Sequence, residues 1–233
     1  MKKVFLFDLD STLLQMDQDK FLEGYFKLVA AKAAKLKYDP KTFMDNFQKG
    51  AYLMVKNNGS ITNEEAFWNV MASSYNDIDI LKNIFEAFYQ NEFKELKKIV
   101  TVTDIPNKII KTLKEKGYQI ILATNPLFPK ICTYERIDWA GLDPLDFLDI
   151  TTYETSTYSK PNRKYYEEVL NRNNINPADC IMVGNDLDDD FSDLPDGIDK
   201  ILITDHLINA NNRKIDMKAF KLCEFLEYIK NNY

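Results

Sequence analysis

Short apolar runs bounded by polar residues alternate along this chain with longer stretches whose apolar residues recur every three or four positions. Val4–Phe7 is wholly apolar and stops at Asp8. A run of that length with no polar member predicts a strand buried on both faces. From Gln18 to Lys98 the period becomes helical. Lys20–Lys37 carries Phe21, Leu22, Tyr25, Phe26, Leu28, Val29 and Ala33 at helical spacings; Pro40 interrupts, and Thr42–Val55 resumes with Phe43, Met44, Phe47, Ala51 and Leu53-Met54. Asn57-Asn58-Gly59 is a turn, and Thr62-Asn63-Glu64-Glu65 is a capping box opening a helix through Trp68 and Met71. Asp77–Lys98 reads as one more amphipathic helix. The block 16–99 is therefore expected to be a helical domain inserted after the first strand.

Strands and helices then alternate. Asp104–Lys116 is a helix closed by Gly117, Tyr118–Ala123 a second buried strand, and a helix carrying Ile131 and Tyr134 follows. Phe147–Thr152 is a short strand and Pro161–Asn173 a helix. Cys180–Val183 and Lys200–Thr204 are further strands, and Met217–Lys230 is an amphipathic helix. The expectation is an α/β fold, with a parallel sheet built from 1–15 and 100–233.

Several of the strands stop at residues able to do chemistry. Val4–Phe7 runs into Asp8-Leu9-Asp10-Ser11-Thr12, the second strand into Thr124-Asn125, and Cys180–Val183 into Gly184-Asn185-Asp186. In open α/β sheets ligands bind beyond the carboxyl ends of the strands, so these groups are candidates for one site. Asp8 and Asp10 lean to the same side. Their repulsion is on the order of a few kcal/mol at an effective dielectric near 20, which a bound cation or protonation of one partner relieves. The loop Asn185–Asp190 offers hard oxygen ligands suited to Mg²⁺ or Ca²⁺. It is no EF-hand: counted from Asp186, the sixth position is Phe191 and the twelfth Gly197. Lys160 precedes Pro161 at an expected helix start, where an ammonium is favoured by a nearby anion. Asp188 and Asp189 read as a solvated acidic turn.

Composition narrows the partners. The 233 residues are 45% hydrophobic with net charge −6, and acidic residues crowd between 186 and 199. No basic stripe is present to neutralise a nucleic-acid backbone. Cys132, Cys180 and Cys223 are widely spaced and there is one histidine, His206, which leaves no zinc site; the thiols read as buried and reduced. The start Met1-Lys2-Lys3 precedes an apolar run too short for a leader peptide, and no stretch approaches a membrane span. A cytoplasmic protein acting on a small anion is expected.

Asp8-Leu9-Asp10-Ser11-Thr12, Thr124 in Ala-Thr-Asn, Lys160 in Ser-Lys-Pro and the Gly184–Asp190 loop, in that order, resemble the haloacid dehalogenase-like hydrolase superfamily. The resemblance spans essentially the whole chain and implies a Rossmann-like core with a C1-type helical cap. It further implies a Mg²⁺-dependent phosphatase of a small phosphorylated metabolite. Asp8 would be the nucleophile, forming an aspartyl-phosphate, and Asp10 the general acid and then base. Thr124 and Lys160 would hold the phosphoryl group, with Asn125 and Thr12 beside them. Mg²⁺ would bind Asp8, the Asp10 carbonyl and the acidic loop, through Asp186 and Asp190 or through Asn185. Two departures stand out: Ser11 occupies a common glycine position, and Asn185 a common aspartate position. A phosphomutase would use Asp8 and Asp10 alike, and a non-catalytic phospholigand-binding module is the alternative from another class. Dehalogenation fits less well, because Asp10 and the acidic loop would then have no purpose.

Overall fold

In a computed structural model, residues 3–233 are described; Met1 and Lys2, part of the basic start considered above, lie outside them. The strands are β1 (Val4–Phe7), β2 (Gln119–Leu122), β3 (Asp149–Ile150), β4 (Cys180–Gly184), β5 (Asp199–Ile203) and β6 (Lys218–Phe220). They form one parallel sheet in the order β3-β2-β1-β4-β5-β6. β1 is central and buried along its whole length, which is why it carries no polar residue. Its alternate residues face opposite layers. Phe5 and Phe7 meet the carboxyl-terminal helix α8 (Leu222–Asn232), with the Phe7 and Phe225 rings 6.2 Å apart. Val4 and Leu6 share the other core with Tyr165, Tyr166 and Val169 of α7 (Arg163–Arg172).

Between β1 and β2 lie α1 (Gln18–Lys35), α2 (Pro40–Val55), α3 (Asn63–Ala72) and α4 (Ile78–Gln90), then a 3₁₀ segment Glu92–Ile99 and α5 (Ile105–Glu115). Side chains capping α1, α2 and α3 come from Asp17, Asp39 and Thr62, the last in the full capping box. An aromatic core holds these helices together. Phe43 and Phe85 stack at 5.8 Å, and Phe47 meets Phe67 edge-on at 4.9 Å. The chain enters and leaves this helical domain side by side: Met16 bridges Val100, and the Thr101 N–H donates to the Gln15 carbonyl at 2.8 Å. The fold is thus a Rossmann-like parallel core with an inserted helical cap domain.

Some boundaries differ from expectation. The helical run breaks before Pro40 as expected, but α2 starts at Pro40 itself rather than at Thr42, since a proline in the first turn has no N–H to lose. Asp77–Lys98 is broken at Asn91, whose φ of −121° and ψ of −76° end α4. Met217–Lys230 contains an edge strand, β6, before α8. Pro161 lies outside α7, which Asn162 caps by accepting from the Lys164 N–H. Cys132 and Cys180 are buried as expected, whereas Cys223 is exposed. Ser11 has φ +64°, a left-handed conformation, and its hydroxyl donates to the Met16 carbonyl at 2.9 Å. That bond offsets the cost of placing a side chain where glycine fits most easily. Among the described residues no helix is long and apolar enough to cross a membrane.

Candidate active site

Register brings the site together. Phe7 stands level with Leu122 and Val183, so the residues that follow β1, β2 and β4 emerge at one edge of the sheet. Asp8 continues the ladder, its N–H donating to the Val183 carbonyl at 2.9 Å. β2 and β3 lie on one side of β1, and β4, β5 and β6 on the other. The crevice beside β1 is therefore the switch point at which such sheets bind ligands. A cavity of about 170 Å³ opens there, walled by Asp8, Asp10, Thr124, Asn125 and Lys160, by Asn185, Asp186, Asp189 and Asp190 of the acidic loop, and by Gln18 and Leu22 of α1.

Lys160 is buried between two carboxylates. Its Nζ donates to Asp8 Oδ1 at 2.8 Å and to Asp190 Oδ1 at 2.6 Å. Asp190 Oδ2 accepts from the N–H groups of Asn185 and Asp186, each at 3.0 Å. The carboxylate comes so close to the end of β4 that a Cβ on Gly184 would lie 2.1 Å from Oδ2, so no larger residue fits there. Burial pushes Asp8 up from 3.8 to about 7; Lys160 opposes this, and the neighbouring Asp190 and Asp10 add to it. For Lys160, burial favours the neutral amine, yet Asp190 and Asp8 outweigh it and hold the ammonium well above its ordinary range.

Asp10 has a partner that sequence patterning did not reveal. Its Oδ2 pairs with the guanidinium of Arg136, a fully buried residue of α6 (Lys130–Trp139). Arg136 is fixed in turn by the Phe128 ring, 4.4 Å away, and by the Cys132 carbonyl at 3.3 Å. Asp10 Oδ1 is buried with no hydrogen-bond partner. The signal for Arg136 lay in its spacing: it is four residues after Cys132 and three before Trp139, in the buried stripe of its helix. A lone cation in an apolar stripe needs a buried anion nearby.

Other expected groups fall in varied places. Thr124 is buried in the cavity wall, its carbonyl held by the hydroxyls of Thr151 and Tyr165 at 2.6 and 2.9 Å. Thr12 is fully buried, and its hydroxyl faces Asn185 Oδ1 at 3.0 Å and Asp8 Oδ2 at 3.3 Å; it orients these oxygens. Asn125 Nδ2 donates to Asp189 Oδ2 at 3.2 Å, while its own Oδ1 is buried without a partner. Asp189, expected in a solvated turn, thus faces the cavity, and burial raises its pKa. The loop is strapped to 206–208: Asn185 Nδ2 donates to the His206 carbonyl at 2.7 Å, and the Leu187 N–H to that of Ile208 at 3.0 Å. From the cap, buried Asn63 reaches the Pro126 carbonyl at 3.1 Å and Ser159 Oγ at 3.2 Å, tying down the segments that carry Thr124 and Lys160.

Among the described residues no three acidic, histidine or cysteine side chains are gathered as a ready metal cluster. The donor set nonetheless suits a hard cation. Asp8 Oδ2, Asn185 Oδ1 and Asp186 are oxygens around one cavity, and Asp10 Oδ1 beside them lacks any partner. Asp190, expected as a ligand, spends both oxygens on Lys160 and the loop N–H groups. Asp186 uses Oδ1 for the N–H groups of Asp188 and Asp189.

Paired carboxylates and a buried lysine at the switch point of a parallel sheet, under an inserted helical domain, define an α/β enzyme of hydrolase type. The chain belongs to the haloacid dehalogenase-like hydrolases, whose family model matches residues 2–191. It is 24% identical over 223 residues to a glyceraldehyde 3-phosphate phosphatase of Methanothermobacter thermautotrophicus, covering 93% of this chain and 92% of that protein. Among solved structures it resembles a predicted phosphoglycolate phosphatase of Haemophilus somnus, with TM-score 0.60, 16% identity and 97% of each chain covered. It also resembles a magnesium-bound hydrolase of the same family from Bacillus subtilis, with TM-score 0.56, 17% identity, and 98% of this chain and 99% of that one covered.

Proposed function

We propose that the chain is a Mg²⁺-dependent phosphatase that hydrolyses a small phosphorylated metabolite through an aspartyl-phosphate on Asp8. The observation that carries this reading is the placement of Asp8 at the end of the central strand, with Lys160 on one oxygen and Asp10 in the same cavity wall. A phosphatase-named relative over nearly the whole chain and a magnesium-bound structure of the same fold support it.

An Asp8 oxygen attacks phosphorus as the bond to the ester oxygen breaks. The departing alkoxide takes a proton from Asp10 and leaves as the alcohol. Asp10 then accepts a proton from water as that water attacks the phosphorus, which frees inorganic phosphate and restores the Asp8 carboxylate. Lys160 and the Thr124 hydroxyl hold the equatorial oxygens, where positive charge and donors lower the barrier most. When bound, Mg²⁺ would be held by Asp8, the Asp10 carbonyl, Asn185 and Asp186, and would supply positive charge against the incoming anion. We place the cap at 16–99 and read the paired crossings at Gln15–Met16 and Val100–Thr101 as its hinge.

Phosphate release from p-nitrophenyl phosphate should require added Mg²⁺ and stop on chelation. Undiminished release in EDTA would reject the reading. Arg136 is a positioning residue in it: by holding Asp10 Oδ2 it leaves Oδ1 free for the proton. Arg136→Met should lower kcat by about 10²-fold with KM little changed, and Arg136→Lys should recover part of the loss. A rise in KM at constant kcat would show that Arg136 serves substrate binding instead.

A further inference from the structure

A second cavity, of about 140 Å³, adjoins the catalytic one, and Leu22, Leu127 and Phe128 line both. Most of its remaining wall comes from the cap, chiefly Phe47, Met54, Phe67 and Trp68, with Pro129 and Tyr153 from the core and no carboxylate, lysine or arginine. The polar atoms it offers are phenols and one indole. The Tyr25 and Tyr89 hydroxyls bond each other at 3.0 Å, and Trp68 Nε1 donates to the Tyr153 hydroxyl at 3.3 Å. Burial holds all three phenols neutral. Of the two hydroxyls sharing one hydrogen bond, one keeps a proton to give, and Tyr153, which accepts from the indole, keeps its own, so the cavity can serve neutral acceptors.

A charged group entering this space would lose its water and meet no counterion, a penalty that selects against it. An apolar group would gain from the same transfer, and a dry cavity of about 150 Å³ holds a benzene-sized ligand. Another cavity, of about 850 Å³, is unlike it: Lys82, Lys130, Glu86 and Glu154 line it, and none of the catalytic-site residues does. Of the two cavities that share the Trp68 and Tyr153 walls, the one that also shares walls with the catalytic cavity is the one without charged side chains.

We propose that the apolar cavity is the leaving-group subsite, and that the substrate is a phosphate monoester of an uncharged, mainly apolar alcohol carrying a group up to the size of a benzene ring. The inference rests on the phosphatase reading and adds the class of alcohol to it.

The test compares kcat/KM for 2-phenylethyl phosphate, glyceraldehyde 3-phosphate and phosphoglycolate on the Mg²⁺-loaded protein. 2-Phenylethyl phosphate should exceed phosphoglycolate by about tenfold or more, with the uncharged aldehyde between them. Ala51→Phe, which fills the cavity, should reduce that ratio. Equal rates, or a preference for phosphoglycolate, would overturn the subsite and leave the phosphatase reading intact. Absence of turnover with every ester would reject the phosphatase reading. Calorimetry on the native protein decides the subsite independently: benzylphosphonate should bind at least about tenfold tighter than phosphonoacetate. Equal binding, tighter phosphonoacetate, or no binding of either would overturn it.

Discussion

Asp8→Asn should abolish phosphate release, by about four orders of magnitude or more, and at the same time make the metal-free protein harder to unfold near pH 8. On the proposed mechanism the first effect follows from the loss of the carboxylate that attacks phosphorus. The second follows from burial. Asp8 and Asp190 share one ammonium, and Asp8 titrates at about 7 in the folded chain against an ordinary 3.8. Below about pH 4 both states carry the proton and the group costs nothing. As pH rises through 7 the folded state must ionise at a penalty the unfolded chain escapes, so that contribution to stability is lost. Asparagine removes the penalty, for a gain of about 1–4 kcal/mol at pH 8, or about 2–16 °C in Tm. Thermal unfolding in EDTA at pH 8 and pH 5 checks it: the advantage of the variant should be larger at pH 8. A variant less stable than wild type at pH 8 would mean that the Lys160 pairing outweighs burial.

The strand ends were legible because burial and chemistry meet there abruptly. Val4–Phe7 has no polar residue and Asp8 follows at once, which only a central strand feeding a site explains. The capping box at Thr62 was legible for a local reason, since both of its hydrogen bonds lie within four residues. What stayed hidden depends on distant partners. β6 is three residues long and exists because β5 offers it an edge; alone, Lys218–Phe220 looks like the start of α8. The break at Asn91 is set by how α4 and the following 3₁₀ segment pack, not by any glycine or proline.

Within the site the same division holds. Asp8, Thr124 and Asn185 were predictable from register alone, since their strands are adjacent and level. Arg136 was not, because its anion lies 126 positions away in the turn after β1. Asp189 looked solvated until Asn125 was seen to reach across to it. Periodicity places a charged residue on a helix stripe or in a loop; it does not say what stands opposite.

Lys160→Met should be the most damaging single change to the folded state. Lys160 is the cation shared by Asp8 and Asp190, all three buried, and its loss leaves two buried carboxylates without a counterion. Breaking a buried pair in this way costs about 3–5 kcal/mol. The cost should be greatest near pH 8 and shrink on acidification, because without the ammonium Asp8 protonates still more readily than in wild type. Turnover should fall by about 10²-fold or more, since the positive charge proposed to hold the equatorial oxygens is lost. Urea unfolding across pH 5–8 reads the first effect. The double variant Asp8→Asn/Lys160→Met separates ion pairing from packing, because with Asp8 neutral only Asp190 remains uncompensated. It should therefore be more stable at pH 8 than Lys160→Met alone, with the two changes clearly non-additive. Additive effects would show that Lys160 stabilises the site through the packing of its stem, and that the carboxylates are neutralised by other means.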